Sequence, residues 1–384
     1  MKPQIQMLDL SAQHRKIQRE IDEAIRGVID TSQFINGTAV DEFARDLATY
    51  TGAQQVIPCG NGTDALQISL MAAGLQAGDE VLIPAFTYVA AAEAASLLGL
   101  VPVWIDVNAD TYNMNVEKIE AAITSRTRAI IPVHLFGQAA EMEAILQIAA
   151  KHHLFVIEDA AQSIGASYSF STGETKQCGT MGDTGCLSFF PSKNLACFGD
   201  GGAILTNDSR LAARLKMIAS HGQSVKYRHE IIGCNSRLDT LQAAILRVKL
   251  RYLNDYNAAR RQVAACYHQG LRAYSNFLTL PVEKSHTTHV YHQFTIQVKN
   301  GKRDALKVYL QEKGIPSMIY YPLSLPEQPV YANANVNTNT NTSAAAQAIV
   351  AKELAASVLS LPIHTEMDDE QLCYIITQIQ TFFN

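Results

Sequence analysis

The segment Gly185-Cys-Leu-Ser-Phe-Phe-Pro-Ser-Lys-Asn-Leu-Ala-Cys-Phe-Gly-Asp-Gly-Gly202 decides how the rest of the chain is read. Its apolar run, 186–190, predicts a short buried strand that stops at Pro191. Lys193 then falls on the loop into which that strand delivers its last residues. Gly185, Gly199, Gly201 and Gly202 surround the turn, so the backbone can pass close to a bound group. Phe189, Phe190, Leu195 and Phe198 flank the lysine and are expected to desolvate it, which lowers an amine's pKa and makes it a Schiff-base former. The competing reading is a surface lysine whose stem lies over those aromatic residues.

Outward from this loop the chain has a rhythm. Short β-type runs occur at 55–59, 80–84, 101–107, 129–135, 154–160, 185–191 and 202–207, with helical patterns at 63–74, 87–98, 116–124 and 139–152 between most of them. Apolar strands alternating with helices predict an α/β fold with a seven-stranded, mainly parallel sheet covered on both faces. Helices are also expected at 15–28 and 39–51, and a smaller α+β unit after about residue 250, with strands at 292–298 and 317–321. The domain expectation is therefore 1–250 and 251–384. The apolar stretch 81–105 is interrupted by Pro84, Glu93 and Pro102, so it reads as strand–helix–strand rather than a membrane span.

Composition narrows the function. With 384 residues, 47% hydrophobic, 17% charged and a net charge of −5, the chain is an ordinary globular protein without a basic block for nucleic acid. Seven scattered cysteines (Cys59, Cys178, Cys186, Cys197, Cys234, Cys266, Cys373) form no CxxC pattern; free thiols in a reducing cytoplasm, and no metal, are expected. The start, MKPQIQMLDL, lacks the apolar core of a signal peptide. The Asn/Thr-rich tract 331–343 is expected to be a mobile loop.

In a parallel sheet, ligands bind beyond the carboxyl ends of the strands. After the first strand comes Gly60-Asn-Gly-Thr-Asp64, which reads either as an anion cradle at a helix N-terminus or as a capped turn. Tyr88, after the second, suits either a flat cofactor or the core, and His134, after the fourth, reads as a hydrogen-bonded structural histidine sooner than as a catalyst. The fifth ends in Ile157-Glu-Asp-Ala-Ala-Gln162. Alternation puts Glu158 and Asp159 on opposite faces, so one of them faces the ligand crevice. An aspartate there holds a cationic ring nitrogen protonated, within reach of Gln162. Further on, Ser236 with Asp239 fits a capping pattern for a long helix whose apolar stripe includes Leu238, Ile245 and Val248.

Together, GNGTDAL, PAFTYVA, PVHLFGQ, VIEDAAQSIGA, SFFPSKNL with FGDGGAI, and NSRLDTLQAAIL resemble the DegT-type family of sugar-nucleotide aminotransferases, pyridoxal-phosphate enzymes of fold type I (aspartate aminotransferase-like). The resemblance runs from LDL near residue 8 to SLPIH at 360–364. It implies that Lys193 is the Schiff-base and acid–base lysine, that Asp159 partners the pyridinium nitrogen, that Gln162 bonds the ring oxygen and that Tyr88 stacks on the ring. Gly62, Thr63 and Ser188 would bind the phosphate, joined by Asn235 from the second subunit of a homodimer with shared active sites. Arg237, Tyr320 and Tyr321 are the expected substrate residues. Many relatives carry a histidine before Tyr-Pro at a position near the substrate; here the sequence is Tyr320-Tyr-Pro322. The resemblance is strongest to enzymes that use glutamate to aminate C3 of a UDP-linked 3-keto-2-acetamido-hexuronic acid for bacterial surface polysaccharides. The alternatives are a dTDP- or other NDP-3- or 4-keto-6-deoxy sugar as substrate, and a non-catalytic cofactor-binding regulator. A related dehydratase would have histidine in place of Lys193.

Overall fold

The computed structural model describes residues 5–332 and 348–384. Seven strands form the main sheet: β1 (Gln55–Cys59), β2 (Glu80–Pro84), β3 (Val101–Ile105), β4 (Thr127–Ile130), β5 (Phe155–Asp159), β6 (Thr184–Ser188) and β7 (Gly202–Thr206). Their spatial order is β1-β7-β6-β5-β4-β2-β3. From β6 to β3 every pairing is parallel, whereas β7 runs antiparallel to both β6 and β1. The reason is local. Helices join the strands from β1 to β5, and an excursion through the small hairpin Ser167–Ser169/Thr175–Gln177 joins β5 to its parallel neighbour β6. β6 and β7 are neighbours joined directly by the lysine loop, a hairpin-type return that sets them antiparallel.

Both faces of the sheet are buried, so the strands are continuously apolar rather than alternating. Val81, Leu82 and Ile83 in β2 are all fully buried; Val81 and Ile83 pack with helices Gly62–Ala72 and Ala90–Leu97, and Leu82 packs on the other side with Phe43, Leu47 and Ile145. The apolar stretch 81–105 is thus strand–helix–strand, as read, and no described helix is long and apolar enough to cross a membrane. All seven cysteines are free.

A second, three-stranded antiparallel sheet, Leu278–Thr279, Phe294–Val298 and Val358–Leu361, packs under helices Leu253–Leu271, Arg303–Glu312 and Asp369–Phe383. Ile5, near the start of the chain, is buried in this core too.

Four sequence expectations are corrected. Run 317–321 is not a strand: Met318 makes one isolated bridge to Ser360. The fourth strand ends at Ile130 rather than 135, because Pro132 has no N–H to continue the ladder, and Val133 keeps a lone bridge to Asp159. Segment 116–124 divides into a 3₁₀ turn, Val116–Lys118, and one short turn, Ile119–Ala122. Ser236 does not cap the helix Thr240–Leu250, whose N-cap residue is Asp239; its hydroxyl donates to Asp64 instead (2.6 Å) and accepts the Gly60 N–H (2.9 Å). Beyond residue 332 the Asn/Thr-rich tract lies outside the described residues.

Candidate active site

The carboxyl ends of β1, β5 and β6 open on one cavity of about 650 Å³. At β1, Asn61 caps the helix Gly62–Ala72, its side-chain oxygen accepting the Asp64 N–H at 2.8 Å. The first amides of that helix have no acceptor inside it. Gly62 is required by contact: a Cβ there would lie 2.8 Å from the Ser188 Cβ. A Cβ on Gly202 would lie 2.5 Å from the Asn61 backbone, so β7 also needs glycine for the turn to close.

At the end of β5 the two carboxylates part, as alternation requires. Glu158 is fully buried and accepts N–H groups from Gly179 (2.8 Å), Met181 (2.6 Å) and Gly182 (2.6 Å). His134 completes its shell at 2.8 Å. Because the Ala140 N–H donates to His134 Nδ1 (3.0 Å), the ring carries its proton on Nε2 and donates to Glu158. His134 is structural. Asp159 faces the cavity instead. Burial pushes its carboxyl up, opposed by the Ala161 N–H (3.1 Å) and by the charge on Lys193.

Lys193 lines the same cavity. Burial pushes its amine down to about 8, with Asp159 pulling the other way. The source of that desolvation differs from expectation. Phe189 packs edge-on against Phe43 across the sheet, Leu195 is in the same core, and the Phe198 ring lies beside Lys249. Of the four flanking residues only Phe190 reaches the cavity; the other walls near the lysine are Phe136, His292 and Tyr321.

Gln162 is fixed from both ends: its Oε1 accepts the Phe136 N–H (2.8 Å) and its Nε2 donates to the Tyr321 hydroxyl (3.1 Å). Tyr88 is 56% exposed at the mouth, 6.1 Å from the Tyr321 ring. Gly62, Thr63, Tyr88, Asp159, Gln162, Ser188, Lys193, Tyr320 and Tyr321 therefore share one cavity. Asn235 and Arg237 do not. Asn235 is exposed and bridges Ser220 through its backbone, and Arg237 lines a separate groove beside Arg45 and Lys216.

The sequence reading missed Thr87, Glu93, Asp200, His292 and Gln293, which also line the cavity. His292 is held well below the usual histidine range by burial and by the charges of Lys193 and Arg260, so it is neutral. Its only sequence signal was its place at the head of a strand; the contact with the lysine loop is made some hundred residues away. Thr87 sits one residue before Tyr88, and its buried hydroxyl has no partner among the described residues. A cradle that excludes Cβ atoms, an unpartnered hydroxyl, a buried carboxylate and a desolvated amine fit a phosphorylated, carbonyl-bearing ring with a basic nitrogen, the chemistry of pyridoxal phosphate.

Residues 15–380 match the model of the DegT/DnrJ/EryC1/StrS aminotransferase family. A UDP-2-acetamido-2-deoxy-3-oxo-D-glucuronate aminotransferase of Pseudomonas aeruginosa is 44% identical over 95% of this chain and 96% of its own. A pleiotropic regulatory protein of Geobacillus stearothermophilus is 43% identical over 99% and 98%. Among solved structures, S. venezuelae DesV in complex with a ketimine intermediate superposes with a TM-score of 0.92 at 37% identity, covering 99% of this chain and 98% of that one.

Proposed function

The chain belongs to the DegT/DnrJ/EryC1/StrS aminotransferase family and is a pyridoxal-phosphate-dependent sugar-nucleotide aminotransferase, and on that premise we propose its substrates: glutamate as amino donor and, as acceptor, C3 of a UDP-linked 3-keto-2-acetamido-hexuronic acid. The observation that carries the reading is the desolvated Lys193 amine sharing a cavity with Asp159. The likeness to the P. aeruginosa enzyme, over nearly the whole of both chains, supports the sugar.

Bound in the cavity, pyridoxal phosphate would supply the electron sink that amino-group transfer needs. The chain does the rest. The Gly62 and Thr63 amides with the Ser188 hydroxyl hold the phosphate at the positive end of a helix. Asp159 would keep the proton on the ring nitrogen, Gln162 Nε2 would donate toward the ring oxygen and Tyr88 would cover the ring face. Lys193, with a pKa near 8, is partly free base at neutral pH and serves first as nucleophile, then as the base that moves the proton.

The single chain leaves the site short of positive charge. Among the described residues, Asp64, Glu93, Asp159 and Asp200 line the cavity against one cation, Lys193, yet the phosphate, the donor's carboxylates and the nucleotide diphosphate are all anions. Arg237 makes no ion pair among the described residues, and with Asn235 it belongs, in this proposal, to the partner's site in a homodimer. The relative named as a regulatory protein favours a second reading, binding without turnover. Mass spectrometry of products from glutamate, the cofactor and a panel of UDP- and dTDP-linked keto-sugars separates the readings. The uronate should gain an amino group first; amination of a 6-deoxy sugar alone would replace the substrate, and no amination at all would favour the regulator.

A further inference from the structure

A small pocket, of about 100 Å³, lies behind the lysine loop, against the helix Leu10–Thr31. Leu10, Ile17, Pro191 and Phe198 give it apolar walls, and Gln13, His14, Cys197 and Lys249 are its polar ones. Lys249, in the last turn of the helix Thr240–Leu250, is only 3% exposed. No carboxylate lies within ion-pair distance of its amine among the described residues, and what it has is the Phe198 ring, 5.5 Å away. Cys197 is no counter-ion: its thiol donates to the carbonyls of Phe189 (3.0 Å) and Gly199 (3.1 Å), and burial pushes its pKa up to about 11. Beside them, the His14 ring meets the Phe198 ring edge-on at 5.3 Å; its Nδ1 is sealed off and has no partner among the described residues, so any donation into the pocket would come from Nε2.

A buried ammonium without a counter-ion is costly, and the partial charge of a helix end and one ring face fall short of replacing a carboxylate. Burial lowers the Lys249 amine to about 8, which still leaves it mostly protonated at neutral pH. We propose that this space is a binding site for a small monovalent anion of the halide class, held by the Lys249 ammonium with the His14 ring as second donor. Size and chemistry select that class. The volume takes one halide with at most a few waters, at roughly 30 Å³ per water. One ammonium with a few neutral polar groups among apolar walls suits a weakly hydrated monovalent ion, whereas a divalent oxyanion would lose far more hydration than they return. The anion would brace the lysine loop from behind, since Pro191 and Phe198 flank Lys193 on that loop.

Bromide replaces chloride and scatters anomalously, so it is the probe. Holoenzyme crystals equilibrated in sodium bromide should show an anomalous peak between His14 and Lys249. In solution, bromide should raise the holoenzyme Tm in a saturating manner relative to sodium gluconate at equal ionic strength, and Lys249→Met should weaken that response at least tenfold. An empty cavity, a carboxylate of a second copy seated on Lys249, or a peak that persists in Lys249→Met overturns the proposal. So does a peak without the Tm response, which marks an adventitious ion only. If Lys249→Met does not fold, His14→Leu, which removes the second donor and leaves Lys249 in place, should weaken the bromide response; an unchanged response there also overturns the assignment.

Discussion

At position 193 the cavity holds an amine that would prefer to be neutral, and that preference is measurable as stability. Its pKa falls from 10.5 in an unfolded chain to about 8 in the folded one. Below pH 8 both states are protonated, and the folded state bears the full cost of the buried charge. Between pH 8 and 10.5 the unfolded chain binds more protons, so this cost is relieved as pH rises. Lys193→Met should therefore make the apoprotein more stable than wild type at pH 7, by at most about 3 kcal/mol at 1.36 kcal/mol per unit. The advantage should fade towards pH 10.5, as read by urea unfolding across that range, and the same variant should have no transaminase turnover. A constant difference at all pH values would show that the methionine merely packs better. The neighbours 158 and 159 divide roles in a testable way. Glu158→Ala strands His134 and three N–H groups, so it should cost about 3–5 kcal/mol of unfolding free energy, the range for breaking a buried pair. Asp159→Ala should leave stability nearly intact and lower the turnover rate by several powers of ten. If Asp159→Ala kept its rate, the ring-nitrogen role would have to move elsewhere.

At the scale of elements, what was legible in the sequence was what local pattern controls. Strands β1 and β2 begin and end where the apolar runs do, and Glu158 and Asp159 split across β5 because period two leaves no choice. What was not legible depended on distant partners. Ser236 looked like a cap for its own helix but is bonded to Asp64, 172 residues away, so it ties the loop before Thr240 to the anion cradle. Phe189 and Phe190 are equally apolar in sequence, yet just past the end of β6, at Ser188, the first packs into the far core and the second lines the cavity. The two glycines that shape the cradle give a prediction at this scale. Gly202→Ala sets a methyl group 2.5 Å from the Asn61 backbone, and Gly62→Ala sets one 2.8 Å from Ser188 Cβ; neither neighbour is the end of a flexible side chain. Both variants should hold pyridoxal phosphate at least about tenfold more weakly, near 1.4 kcal/mol, with the Lys193 chemistry otherwise retained. Titration of each apoprotein with the cofactor, followed by absorbance, reads the loss. Wild-type affinity in both would remove the phosphate from this turn.

The whole molecule, in the dimer proposed above, should behave as two half-sites per cavity. Lys193→Ala damages one half and Asn235→Ala the other, so a mixed dimer assembles one site with both defects and one with neither. Singly tagged, purified heterodimers should recover up to about half of wild-type activity by symmetry, whereas no recovery would place the site within one chain. The same arrangement makes Arg237 the test of the sugar. Within its own chain this guanidinium lines a groove outside the cavity and pairs with no acid among the described residues, while the cavity itself is rich in carboxylates. A hexuronic acid adds one more carboxylate, which needs a charged partner if it is to be buried. Arg237→Gln keeps much of the length and removes the charge. With the UDP-linked 3-keto-uronate the change should cost about 2–5 kcal/mol in kcat/KM, the range for truncating one member of a buried charge pair at an interface. With a neutral 3-keto-6-deoxy analogue, which has no carboxylate to lose, the cost should be far smaller. An equal loss on both would show that Arg237 holds the nucleotide diphosphate or the fold instead, because both substrates share those contacts and only the C6 carboxylate distinguishes them.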